Sequence, residues 1–94
     1  MTVVWTEVAI RHLESVWDYL SVESRSVAES PLARILDAVE NLGRYPELGR
    51  RGRIAHTREL VIPDTPFLIA YRIRNGIVEI LAVLHGARRW PDRL

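Results

Sequence analysis

FLIAYRIRNGIVEILAVLH, from Phe67 to His85, is the stretch whose reading decides the fold of this 94-residue chain. Two apolar runs, Phe67 to Arg74 and Ile77 to His85, flank Asn75-Gly76. That dipeptide tolerates the positive φ of a two-residue type I′ turn, which sets the register of the strands beside it. Arg74 is then expected opposite Ile77, Ile73 opposite Val78, Arg72 opposite Glu79, Tyr71 opposite Ile80, Ile69 opposite Ala82 and Phe67 opposite Leu84. Side chains alternate with a period of two, so Phe67, Ile69, Tyr71 and Ile73 share an apolar face with Val78, Ile80, Ala82 and Leu84. The reverse face carries the Arg72/Glu79 pair, then Leu68, Ala70, Leu81 and Val83, with His85 at its far end. This second face is also apolar, and in so short a chain it is expected to be uncovered and to suit a partner, unless loops and the C-terminus close over it.

Working outward, the N-terminal half supplies a cover for the first face. Val3-Val4-Trp5 is a short β-type run, and Thr6 with Glu7 forms a helix N-cap followed by an acid where the helix dipole favours one. Ile10, Leu13, Val16, Trp17 and Leu20 recur at spacings of three and four, predicting a helix over about residues 7–22. A second stripe, Leu32, Ile35, Leu36, Val39 and Leu42, predicts another helix. It starts at either Ser26, with Glu29 completing a capping box, or Ser30-Pro31, and Gly43 ends it as the C′ residue. Two amphipathic helices joined by a short link form an antiparallel hairpin that can lie on the sheet. Arg44 to Arg53, RYPELGRRGR, reads as loop, and Thr57 to Ile62 as a further strand. A four-residue connection places Arg58 opposite Tyr71 on the helix-covered face; a connection of other parity turns it to the reverse face. The expectation is an α+β fold: an N-terminal strand and a helical hairpin packed on one face of a small, mainly antiparallel sheet, all within one domain spanning residues 1–94.

Composition narrows the chemistry. With no cysteine, thiolate and disulfide chemistry are excluded. No apolar run approaches a membrane span, and the N-terminus does not read as a signal peptide, so a cytoplasmic protein without membrane association is expected. His12, His56 and His85 are too scattered to predict a metal site, and no cofactor motif is visible. Net charge is +1, yet residues 1–43 hold three arginines against seven acids, and residues 44–94 ten against five. All thirteen basic residues are arginine. The planar guanidinium fork suits carboxylate and phosphate partners, although an arginine-rich codon preference gives the same composition. Arg50, Arg51 and Arg53 are candidates to grip phosphate or an acidic protein surface, or else they line a solvated loop.

Several motifs in order carry a resemblance over nearly the whole chain. They are Leu13-x-x-x-Trp17-x-Tyr19, Tyr45-Pro46-Glu47-Leu48-Gly49-Arg50, Thr57-Arg58-Glu59-Leu60-Val61, Tyr71-Arg72 and Val83-Leu84-His85-Gly86-Ala87-Arg88, closing in Trp90-Pro91. Together they resemble the RelE/ParE superfamily of type II toxins. The resemblance implies a growth inhibitor neutralised by a cognate antitoxin, whose segment would lie on Leu68, Ala70, Leu81 and Val83. It also implies one of two targets: DNA gyrase for ParE-like members, or ribosome-bound mRNA for RelE-like endoribonucleases. The nucleases commonly carry an arginine in the middle strand where this chain has Leu68, which favours the ParE-like branch. An inactive relic that binds only its antitoxin is a further possibility. Metal-free RNA cleavage needs a base, a phosphate-facing cation and an acid. His85 with Arg58, Arg72 or Arg88 are the candidates, although a histidine at a strand end also commonly caps backbone groups. Arg88 and Arg89, with Arg50, Arg51 and Arg53, are the candidate target-binding residues.

Overall fold

The computed structural model describes residues 1–22, 24–86 and 94. The elements are β1 (Thr2–Trp5), α1 (Glu7–Ser21), α2 (Arg25–Arg44), β2 (Arg50–Arg51), β3 (Arg58–Val61), β4 (Phe67–Arg74) and β5 (Ile77–His85). They form a five-stranded sheet in the order β1-β5-β4-β3-β2, with β1 parallel to β5 and the other pairs antiparallel. The two helices pack on one face, in the α+β arrangement expected. Ile35, Val39 and Leu42 of α2 and Ala9 and Val16 of α1 join Phe67, Ile69, Tyr71, Val78, Ile80 and Val83 in one buried cluster. RYPELGRRGR is not wholly loop: its Arg50-Arg51 adds a short edge strand against β3.

Asn75 and Gly76 both adopt the left-handed conformation, with φ of 53° and 73°, as a type I′ turn requires. Next to the turn the pairing is as expected, from Arg74 with Ile77 to Tyr71 with Ile80. Beyond it the register changes. A β-bulge at Leu81 puts Ala70 opposite Ala82, Ile69 opposite Val83, Leu68 opposite Leu84 and Phe67 opposite His85. The expected pairs Ile69/Ala82 and Phe67/Leu84 are thus displaced by one residue, and Val83 moves into the helix-side core. The reason is physical: both faces of this hairpin are apolar, so alternation alone does not penalise a one-residue insertion.

The bulge is served from α1, because the Val83 N–H donates to His12 Nδ1 at 3.2 Å. Only an imidazole with an unprotonated Nδ1 can accept this bond. Burial, with a smaller contribution from Arg11, holds the His12 pKa below its ordinary 6.5. The unfolded chain therefore binds the proton more readily than the folded one. Stability from this residue is complete above pH 6.5 and is lost as pH falls through the lowered folded value. His12→Ala is expected to cost about 1–2 kcal/mol at neutral pH by orphaning the Val83 N–H. It should also flatten the decline in stability below pH 6.5, as read by urea denaturation across that range. An unaltered slope in the variant would refute the assignment.

The helices follow the predicted pattern with a rotation. Thr6 caps α1, its Oγ1 accepting the Ala9 N–H at 3.2 Å. The inward stripe of α1 is Ala9 and Val16, both buried, with Leu13 and Leu20 half-buried against the core, while Ile10 is 43% exposed. Trp17 lies with Leu13, Leu32 and Leu36 in the groove between the helices. α2 starts at neither predicted site: its Ala28 N–H donates to the Ser24 carbonyl, and Pro31 lies inside the helix. Gly43 is not a left-handed cap either. The helix runs on to Arg44, and a Cβ at Gly43 would lie 3.1 Å from the Met1 carbonyl oxygen, so this glycine lets α2 approach β1.

The reverse face differs from expectation. The alternation of the sequence predicts an exposed row of Leu68, Ala70, Leu81 and Val83; all four are buried in the isolated chain. Val83 belongs to the other face because of the bulge. Over Leu68 the chain itself turns back: the Gly86 N–H donates to the Pro66 carbonyl at 2.8 Å, and a Cβ on Gly86 would be 3.9 Å from Leu68 Cδ2. The row is therefore not a ready-made docking strip. Among the described residues, no helix is long and apolar enough to cross a membrane.

Candidate functional site

The site is assembled around Tyr71, which β4 buries completely. Its hydroxyl donates to the Pro46 carbonyl at 2.7 Å and accepts the Gly49 N–H at 2.9 Å, pinning the Tyr45 to Gly49 loop to the sheet. Burial pushes the Tyr71 phenol above its ordinary pKa, against the pull of the Gly49 N–H and the Arg58 charge. Gly49 has no alternative, since a Cβ there would lie 2.7 Å from the Tyr71 ring and 2.8 Å from the Glu59 carbonyl oxygen.

Arg58 pairs with Tyr71 across β3 and β4, which places it on the helix-side face and resolves the parity left open by the sequence. Its Nη1 donates to the Gly49 carbonyl at 2.7 Å and reaches the Glu47 carbonyl at 3.4 Å. The pinned loop thus positions the guanidinium. On the other face of β3, buried Glu59 accepts from Arg50 Nη2 at 3.3 Å and from the Arg53 N–H at 2.8 Å, with Arg53 Nε at 3.6 Å. Across β4 and β5, Glu79 binds Arg72 at 2.7 Å and Arg74 at 3.2 Å. The hydrogen bond from Arg72, chiefly, holds the Glu79 carboxyl below its usual pKa.

The β2–β3 connection closes tightly beside these strands. The Gly52 N–H donates to the Thr57 carbonyl, and a Cβ at Gly52 would overlap Thr57 Oγ1. His56 takes a φ of 64° to complete the turn. Between this loop and the end of β4 lies a cleft of about 710 Å³, lined by Glu47, Arg51, Arg53, His56, Arg58 and Arg72 among others. Four of the arginines singled out from sequence therefore converge, and Arg50 flanks them through Glu59. Arg88 and Arg89 lie outside the described residues.

His85 is elsewhere. It pairs with Phe67, their rings edge-to-face at 5.8 Å, and lines a separate cleft of about 260 Å³ with His12, Ser15 and Tyr19. From Phe67 to Tyr71 or Arg72 is four or five residues, roughly 13–17 Å along a strand. Arg58 and Arg72 are both tied down at their own end. The structure therefore does not bring His85 together with either cation. Among the described residues, no group of three His, Cys, Asp or Glu side chains could hold a metal ion. Sequence reasoning missed the Tyr71 anchor, the buried Glu59 and the role of His12. Tyr71-Arg72 and the glycines of RYPELGRRGR were the available signals.

Comparison with known proteins sets this geometry in context. Residues 3–90 match the family model described as the ParE toxin of the type II toxin-antitoxin system parDE. The chain is 44% identical over 90 residues to Y4kP of Sinorhizobium fredii, a protein named as a toxin, covering 96% of this chain and 93% of that one. It is 37% identical over 86 residues to toxin RelE2 of Caulobacter vibrioides, covering 92% and 96%. A chain in the chromosomal ParDE toxin-antitoxin system from P. aeruginosa superposes with a TM-score of 0.82 at 23% identity, covering 90% of this chain and 95% of that one, a likeness of fold.

Proposed function

Because this chain belongs to the ParE toxin family, and so is a type II toxin with an antitoxin as its partner, we propose that it inhibits growth in the cytoplasm by binding DNA gyrase. The observation that carries this reading is Leu68. It stands where the nuclease branch is expected to carry arginine, and it is buried to 5% exposure. No phosphate-stabilising cation acts from there. The arginine cleft offers a charged binding surface instead, the sequence adds Arg88 and Arg89 as further candidate cations, and binding through charge works without an acid or a base. Losing one preorganised electrostatic donor typically costs about 10² to 10³ in rate, so ribosome-dependent cleavage should be very slow.

The test is direct. Purified toxin is expected to inhibit supercoiling by gyrase or to stabilise its cleaved complex. Replacing Arg88 and Arg89 together with alanine should weaken that effect more than His85→Ala. A second reading, RelE-like mRNA cleavage, draws support from the similarity to a protein named RelE2. Codon-specific cuts in ribosome-bound mRNA that disappear with His85→Ala would establish it and overturn the first.

A further inference from the structure

Arginines meet in pairs three times at this end of the sheet, and the third pair is unlike the others. Arg50 and Arg53 share Glu59, and Arg72 and Arg74 share Glu79. Arg51 and Arg58 are directly opposite each other in the β2–β3 ladder, and among the described residues no carboxylate pairs with either. Like charges directly across an antiparallel pair are destabilising. Arg58 is nevertheless held in place, its Nη1 bonded to the Gly49 carbonyl and so to the loop that Tyr71 pins. Arg51 is exposed on the wall of the same cleft. An anion held between the two guanidinium groups would relieve that repulsion.

We propose that Arg51 and Arg58 form a clamp for a backbone phosphate of a nucleic acid. Guanidinium forks match phosphate oxygens, and a tetrahedral phosphate can accept from two forks at once. Phosphodiester is favoured over a peptide carboxylate by the surrounding charge. Arg50, Arg51, Arg53, Arg58, Arg72 and Arg74 stand against Glu47, Glu59 and Glu79, leaving a surplus of three positive charges spread across the ends of β2, β3 and β4. A surplus spread along an open cleft suits a polyanion, whose condensed counterions are released as successive phosphates bind. The inference does not depend on which target the toxin attacks. DNA and RNA present the same phosphodiester.

The test uses the full chain and labelled oligonucleotides of about 20 nucleotides, as single-stranded DNA, duplex DNA and single-stranded RNA, titrated over a range of salt. Binding should weaken with salt, with log K against log [salt] falling at a slope of roughly −2 for two or three phosphates neutralised. Whichever nucleic acid binds most tightly names the source. Arg51→Glu should reduce affinity by about ten-fold or more at low salt. The same substitution should raise the melting temperature, because the carboxylate introduced there faces Arg58. Arg51→Gln should weaken binding less. Absence of binding at low salt, unchanged affinity in Arg51→Glu, a lowered melting temperature in that variant, or tighter binding of a polyglutamate peptide than of every oligonucleotide would each overturn the proposal. Arg58 is left intact throughout because it also anchors the loop.

Discussion

Replacing Tyr71 with phenylalanine, a change of one oxygen atom, is expected to destabilise the protein by about 2–4 kcal/mol. The phenol is the common partner of two backbone groups, the Pro46 carbonyl and the Gly49 N–H, and it sits in the core. Removing it leaves both without that partner, and a buried polar group left unsatisfied costs about 1–3 kcal/mol. In a domain of this size each kcal/mol moves the melting temperature by about 4–8 °C, so the drop should be on the order of 10 °C or more. Tyr45→Phe, on an exposed side chain of the same loop, should be near neutral. Gly49→Ala should be damaging for a related reason, since its methyl would have to displace a buried ring and the Glu59 carbonyl. The cleft should suffer with the loop, because Arg58 takes its position from the Gly49 carbonyl. Thermal melts of the three variants decide the matter. Equal losses in Tyr71→Phe and Tyr45→Phe would remove Tyr71 from this role.

Leu81→Arg is expected to destabilise the fold by about 3 kcal/mol or more. Leu81 is the bulge residue of β5 and only 8% exposed, and an unpaired charge forced into such a position must be desolvated or must open the structure. Val61→Arg makes the fitting control. Val61 is 50% exposed on β3, and a surface substitution there should stay within about 0.5 kcal/mol. Denaturant midpoints for the two variants measure the contrast. Stability of Leu81→Arg equal to wild type would mean that the reverse face opens at little cost. The control bears on antitoxin binding: with the row from Leu68 to Val83 buried, lost affinity in Leu81→Arg reports damage to the toxin before it reports an interface.

Much of this protein was legible in its order of residues. Asn75-Gly76 specified the turn, because few dipeptides tolerate two successive positive φ values, and the first four rungs followed from it. Thr6 marked the start of α1, and spacings of three and four marked both helices. The crowding of arginine after residue 43 was plain in the chain, though not where the fold would gather it. These are local signals, carried by neighbours within a turn of helix or across one tight hairpin. The bulge at Leu81 was not legible, since Ala70, Leu81, Ala82, Val83 and Leu84 offer apolar side chains to either face and alternation gives no preference. Ser30-Pro31 was one of two helix starts left open by the sequence, whereas Pro31 lies inside α2. The hold of Tyr71 on Pro46 and Gly49 spans more than 20 residues, and the meeting of Arg51 with Arg58 depends on a strand of two residues with no periodicity to announce it. Short-range patterns write the elements into the chain, but the cleft is made where distant segments meet, and burial and backbone satisfaction across those contacts set its geometry.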